Sequence, residues 1–183
     1  MFEKINPSRI IIAHLGTLRH AGKKQISKSD VFLFFGLTLA MALTLFYFGF
    51  QLSAAAVGVL VTALSVFAGL LLNVLLLIYD IMSKSPTAHE RANNSKTQKE
   101  EQMDSLKATI LLETYHNISF AIFLAVATLS FLVFTVFIPE RWDSIKEFAS
   151  ILVFWLVLVF LTTLLMILKR VHGLLSKEMA SEG

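Results

Sequence analysis

The sequence predicts an all-α membrane protein: four transmembrane helices, an N-terminal amphipathic helix, and a third spanning helix extended into the cytoplasm. Three observations predict it. The chain of 183 residues is 56% hydrophobic and only 16% charged, where a soluble domain carries about a quarter of its residues charged. Its mean hydropathy is +0.71. Its apolar residues fall in four uncharged blocks, 31–50, 52–79, 118–138 and 148–168. Each reaches the ~20 residues that cross a bilayer as a helix. Helices satisfy their own backbone groups in lipid, and these blocks lack the polar face a soluble bundle would keep.

The N-terminal arm comes first. Asn6-Pro7 is a helix start, a capping side chain followed by proline at the first position, and Gly22 is a stop. Between them Ile11, Leu15 and Leu18 line one face, with Arg9 and Arg19 elsewhere. Such a helix lies in the membrane interface; the rival reading is a gate or partner-docking helix. No short apolar core with a cleavage site marks a signal peptide. Ser27 and Asp30 are spaced as a capping box for the first span. A very short turn then makes the first two spans a tight hairpin. The middle connection opens with a polar stretch read as a mobile loop. From about Lys96 to Ile138 nothing breaks a helix, and 43 residues would reach ~65 Å. The fourth helix is expected from about Asp143 to Gly173, before a short tail. The chain thus divides into an arm at 1–26, a first hairpin at 27–80, a cytoplasmic loop and helix extension at 81–117, a second hairpin at 118–173, and a tail at 174–183.

Charge sets the expected orientation. All basic residues except Arg141 and Lys146 lie in the N-terminal segment, the middle connection and the tail. The positive-inside rule places those parts, and both termini, in the cytoplasm of a multi-pass inner-membrane protein. Trp142 is the expected anchor at the opposite interface. The net charge of +3 follows from this bias and does not by itself imply nucleic-acid binding.

The second span carries the main candidate site. At ~100° per residue, Gly58, Thr62, Ser65, Gly69, Asn73 and Asp80 fall on one strip. The opposite side, Val57, Leu60, Leu64, Phe67, Leu71, Leu75 and Ile78, reads as a lipid face. Small residues let helices approach closely, and Ser, Thr or Asn then bond across the contact. Alternatively the strip lines a water-filled pathway between subunits. A second cluster, Glu113, His116 and Asn117, stands at the inner mouth. It reads either as a headgroup anchor or as a proton sensor, because histidine titrates near neutral pH. An Asn73–Glu113 contact is conceivable. Arg9, Arg19, Lys23 and Lys24 are candidates for anionic lipid headgroups or for a nucleotide or oligonucleotide signal.

No catalytic set is legible. His89-Glu90 lacks the second histidine of a zinc-protease helix, no metal-ligand spacing repeats, and the chain has no cysteine. An intramembrane enzyme would carry more ionisable groups at depth. No enzyme activity, cofactor or metal is expected. Four spans fill their own centre, so a conduit requires a symmetric homo-oligomer.

The run "TALSVFAGLLLNVLLLIYD" from Thr62 to Asp80 and the long third helix from Lys96 give the chain an arrangement. That arrangement resembles the small multi-span membrane effectors of bacterial antiphage systems, in particular the Hailong transmembrane effectors. The resemblance covers most of the chain in size and layout and carries over no individual residue. It implies a ligand-gated oligomeric ion channel that depolarises infected cells. Its signal would come from a partner nucleotidyltransferase. The reading from the residues themselves is an oligomeric ion channel or pore gated by a ligand or a cytoplasmic protein partner. The alternative is a non-conducting membrane scaffold or partner subunit.

Overall fold

Local capping chemistry decides where the helices begin and end. The computed structural model describes residues 8–17, 28–50, 52–83, 98–139 and 141–182. Among these, five α-helices follow in order: α1 Ser8–Thr17, α2 Lys28–Tyr47, α3 Ala54–Ser83, α4 Gln98–Val136 and α5 Asp143–Glu182. The signals at Asn6-Pro7, Gly22 and Ser27 lie outside the described residues, as does the polar loop of the middle connection.

α2 ends in a Schellman motif. The amide of Phe50 donates to Leu45 O at 3.1 Å and that of Gly49 to Phe46 O at 2.9 Å. Gly49 takes φ +79°, a left-handed conformation that a Cβ would strain. Ser53 then caps α3, its Oγ accepting from the amide of Ala56 at 3.1 Å. α4 closes through tight turns from Phe137 and Ile138, and Pro139, which has no amide hydrogen, follows directly.

Among the described residues three helices, not four, are long and apolar enough to cross a membrane: Ala54–Ser83, Ala108–Val136 and Ser144–Gly173. The expected first span fails on length. The 20-residue α2 includes charged Lys28 and Asp30 in its first turn, and its last three expected residues belong to the Gly49 turn. Its uncharged part is 31–47, 17 residues, or about 25 Å against a hydrocarbon core of about 30 Å. The protein is a membrane-embedded helical bundle. The expectation that both termini lie in the cytoplasm, drawn from the basic residues, also requires an even number of crossings, and three spans do not carry it.

The packing order also differs from a pair of hairpins. α3 lies along α4, α4 along α5, and α5 along α2, while α1 is laid against α4. α2 therefore packs on α5 rather than on α3, its neighbour in sequence. α4 is the central helix and α3 the outermost span. Of their most apolar windows 39% is buried in α4 but only 17% in α3. The core gathers Leu64, Leu71, Ile118, Ala121, Ala125, Leu132, Val153 and Phe160. Leu64, Leu71 and Ile78, expected to face lipid, are buried. Lipid tails are as apolar as leucine, so dispersion contacts between shapes choose the packed face.

α4 is one unbroken helix of 39 residues, about 58 Å long. Its charged residues 98–107 extend beyond the apolar part. α5 continues as a helix past Gly173 to Glu182. Arg170 near the end of one span and Glu113 near the start of another meet at what is termed here the basic end of the bundle.

Candidate functional site

The polar chemistry of the bundle collects at the basic end, where α1 docks. Ile10, Ile11, His14 and Thr17 share one face of α1, at the 3–4 residue spacing of a helix. Ile10 and Ile11 pack on the core, and His14 and Thr17 are buried. The exposed face carries Ser8, Arg9 and Ile12. The imidazole of His14 has no accessible surface and stacks on Phe120 of α4, with ring centroids 3.9 Å apart and an interplanar angle of 7°. Phe34 of α2 closes the other side at 5.8 Å. One side chain thereby links α1 to both α2 and α4.

Asn117 answers His14. Its side-chain amide lies 2.9 Å from His14 Nδ1 and 2.8 Å from Thr17 Oγ1. The Thr17 hydroxyl also donates to His14 O at 2.7 Å. A hydroxyl has one proton and cannot donate to two carbonyls. The proton count closes when the amide nitrogen of Asn117 faces the pair and donates to both Thr17 Oγ1 and His14 Nδ1. His14 then carries its proton on Nε2. That nitrogen and the far end of the Asn117 amide are buried without a partner among the described residues. Two such groups are an unusual cost to leave in a packed junction.

Arg170 of α5 ties the junction to the third span. One guanidinium nitrogen donates to Glu113 Oε2 of α4. The other donates to Thr17 O at 2.8 Å. One guanidinium thereby holds a backbone carbonyl of α1 together with a carboxylate of α4. Burial, reinforced by the nearby Arg170 charge, pulls the His14 pKa from 6.5 down to about 4, so the imidazole is neutral at pH 7.

Of the candidate inner cluster, Glu113 and Asn117 thus enter the junction by separate routes. Glu113 takes Arg170, and Asn117 takes His14 and Thr17. His116 is half-buried, with its ring 5.8 Å from that of Tyr115. Arg9 is exposed on α1, while Arg19, Lys23 and Lys24 lie outside the described residues. The sequence reading missed His14, Thr17 and Arg170. The available signal was the 10–11–14–17 spacing, which sets the docked face one step away from the 11–15–18 line.

The α3 strip stands apart. Gly58, Thr62, Ser65, Gly69, Asn73 and Asp80 are all exposed. Thr62 Oγ1 donates to Gly58 O at 2.9 Å and Ser65 Oγ to Val61 O at 2.7 Å, both within α3. A Cβ added at Gly58 or Gly69 would meet nothing within 4 Å. Asn73 has no hydrogen-bond partner among the described residues and does not meet Glu113. No cluster of three metal-ligating side chains occurs among the described residues. Comparison of the chain with protein-family models, curated proteins and solved structures gave no match.

Proposed function

We propose that the chain is the protomer of an oligomeric, ligand-gated ion channel of the bacterial inner membrane. One observation carries the reading: the small and polar strip of α3 points out of the protomer, while Leu64, Ala68, Leu71 and Ile78 make the buried face. An amide such as Asn73 is costly against acyl chains and favourable against a second helix or water. Identical copies meeting through this strip would bring their Asn73 and Asp80 around a common axis. α1, held by a few polar contacts, is the part on which a soluble nucleotide-like signal or a protein partner would act. Depolarisation during antiphage defence, which the resemblance implies, is the cellular use in this reading, and no reaction is assigned.

A non-conducting scaffold is favoured by a different observation. Thr62 and Ser65 already satisfy their hydroxyls within α3, which suits a dry helix contact. Proteoliposome flux separates the two. For a channel, the purified protein passes ions across the bilayer when its signal or partner is supplied, and Asn73→Leu changes that flux at least severalfold. For a scaffold, no current appears under any ligand, and Asn73→Leu alters assembly alone.

A further inference from the structure

An open groove of about 570 Å³ runs between α2 and α5, with no residue of α3 in its lining. Phe34, Leu37 and Met41 form one wall, and Leu161 and Leu165 the other. Its two threonines have committed their protons to their own helices. Thr38 donates to Phe34 O at 2.9 Å and Thr162 to Leu158 O at 2.8 Å. Among the described residues that line it, the charged one is the exposed Lys169. Its neighbour Arg170 is committed to Glu113 and Thr17.

We propose that this groove is a binding site for one anionic phospholipid, with an acyl chain along α2 and α5 and the headgroup phosphate on Lys169. The geometry matches the ligand end to end. Leucine and methionine walls accept a flexible chain of methylenes. A lysine near the end of a span lays its stem along apolar surface and holds its ammonium at headgroup level. Charge argues against a second copy as the occupant. Copies inserted in the same direction place Lys169 and Arg170 at the same depth, so a protomer in the groove would bring positive charge toward positive charge. A phosphate brings the opposite sign. The inference is independent of conduction.

The test is lipid retention. The full-length protein is reconstituted in nanodiscs of equal phosphatidylglycerol and phosphatidylcholine, released into mild detergent, and its bound lipids counted by native mass spectrometry. The expected result is retention of phosphatidylglycerol over phosphatidylcholine by about fivefold, the effect of one lysine near an anionic headgroup. Lys169→Gln brings that ratio toward one. Leu161→Trp, at an exposed wall position, lowers retention of both lipids. Glycerol phosphate, a headgroup without a chain, does not displace the lipid. Equal retention of the two lipids by the unmodified protein would overturn the proposal, as would unchanged retention in Leu161→Trp. Displacement by glycerol phosphate would reassign the site to a soluble anion. A Leu161→Trp protein that changes its oligomeric state while keeping its lipid would make the groove a subunit contact instead.

Discussion

At the scale of single residues, His14 is the most constrained side chain in the protein. It is buried, stacked on Phe120, bonded through Nδ1 to Asn117, and near the Arg170 guanidinium. Asn117→Leu removes the partner of both His14 and Thr17 and leaves a buried ring nitrogen unanswered. The expected loss in α1 docking is about 1–3 kcal/mol, read as faster amide hydrogen exchange in residues 8–17. The same residue makes docking depend on pH. Undocked, His14 takes a proton near pH 6.5; docked, it resists to about pH 4. Docking strength is therefore full above about 6.5, falls as pH drops from 6.5 toward 4, and levels off below, by about 3 kcal/mol at most. The charged groups that face the same junction are Glu113 and Arg170. His14→Phe keeps an aromatic ring against Phe120 and removes the proton. Hydrogen exchange in α1 should then be flat between pH 4 and 6.5, apart from the intrinsic pH dependence of exchange.

At the scale of helices, termination matters as much as apolarity. α2 stops because Gly49 adopts φ +79° and closes a Schellman motif. Gly49→Ala should lower the thermal unfolding midpoint of the purified protein by the equivalent of about 1 kcal/mol or more. Gly58→Ala makes the opposite case. A Cβ at Gly58 has open space and sits in a helix interior, where alanine is preferred by about 0.5–1 kcal/mol. The isolated protomer should be unchanged or slightly more stable. The contrast checks that the glycines of α3 are not needed for packing within one chain. It also bears on how α1 was read. The sequence made it an interfacial helix with alternatives of gating or docking, and the structure lays it against α4. The difference turns on one polar residue, because a histidine on the docked face hides an apolar stripe from a pattern read only in isoleucine and leucine.

At the scale of the whole molecule, the row α3–α4–α5–α2 leaves two very different outer surfaces. One end shows the small, polar strip of α3. The other shows the apolar groove with Lys169 at its mouth. Gly69→Leu places a large side chain on the strip without touching the protomer core. It should shift the detergent-solubilised protein from oligomer to monomer by size-exclusion chromatography with light scattering, at unchanged helical content by circular dichroism. A protein that remained oligomeric would locate self-assembly elsewhere.

Much of this architecture was legible in the sequence because the bilayer imposes length and apolarity on every span. The blocks that became α3, α4 and α5, the long reach of α4, and the serine and proline that bound the helices follow from local chemistry. The first block misled because an uncharged run of 20 residues included a turn, and only the path of the chain at Gly49 shows how much of it is helix. Facing was not legible for a deeper reason. In water, burial sorts apolar from polar residues, so composition reveals the inside. In lipid, leucine is equally at home against a helix or a hydrocarbon tail, and which face packs depends on the shape presented by a neighbour distant in sequence. Tertiary structure alone therefore decided that α3 buries Leu64, Leu71 and Ile78 and leaves Gly58, Ser65, Gly69 and Asn73 outward. It alone brought His14, Asn117 and Arg170, far apart in the chain, into one junction.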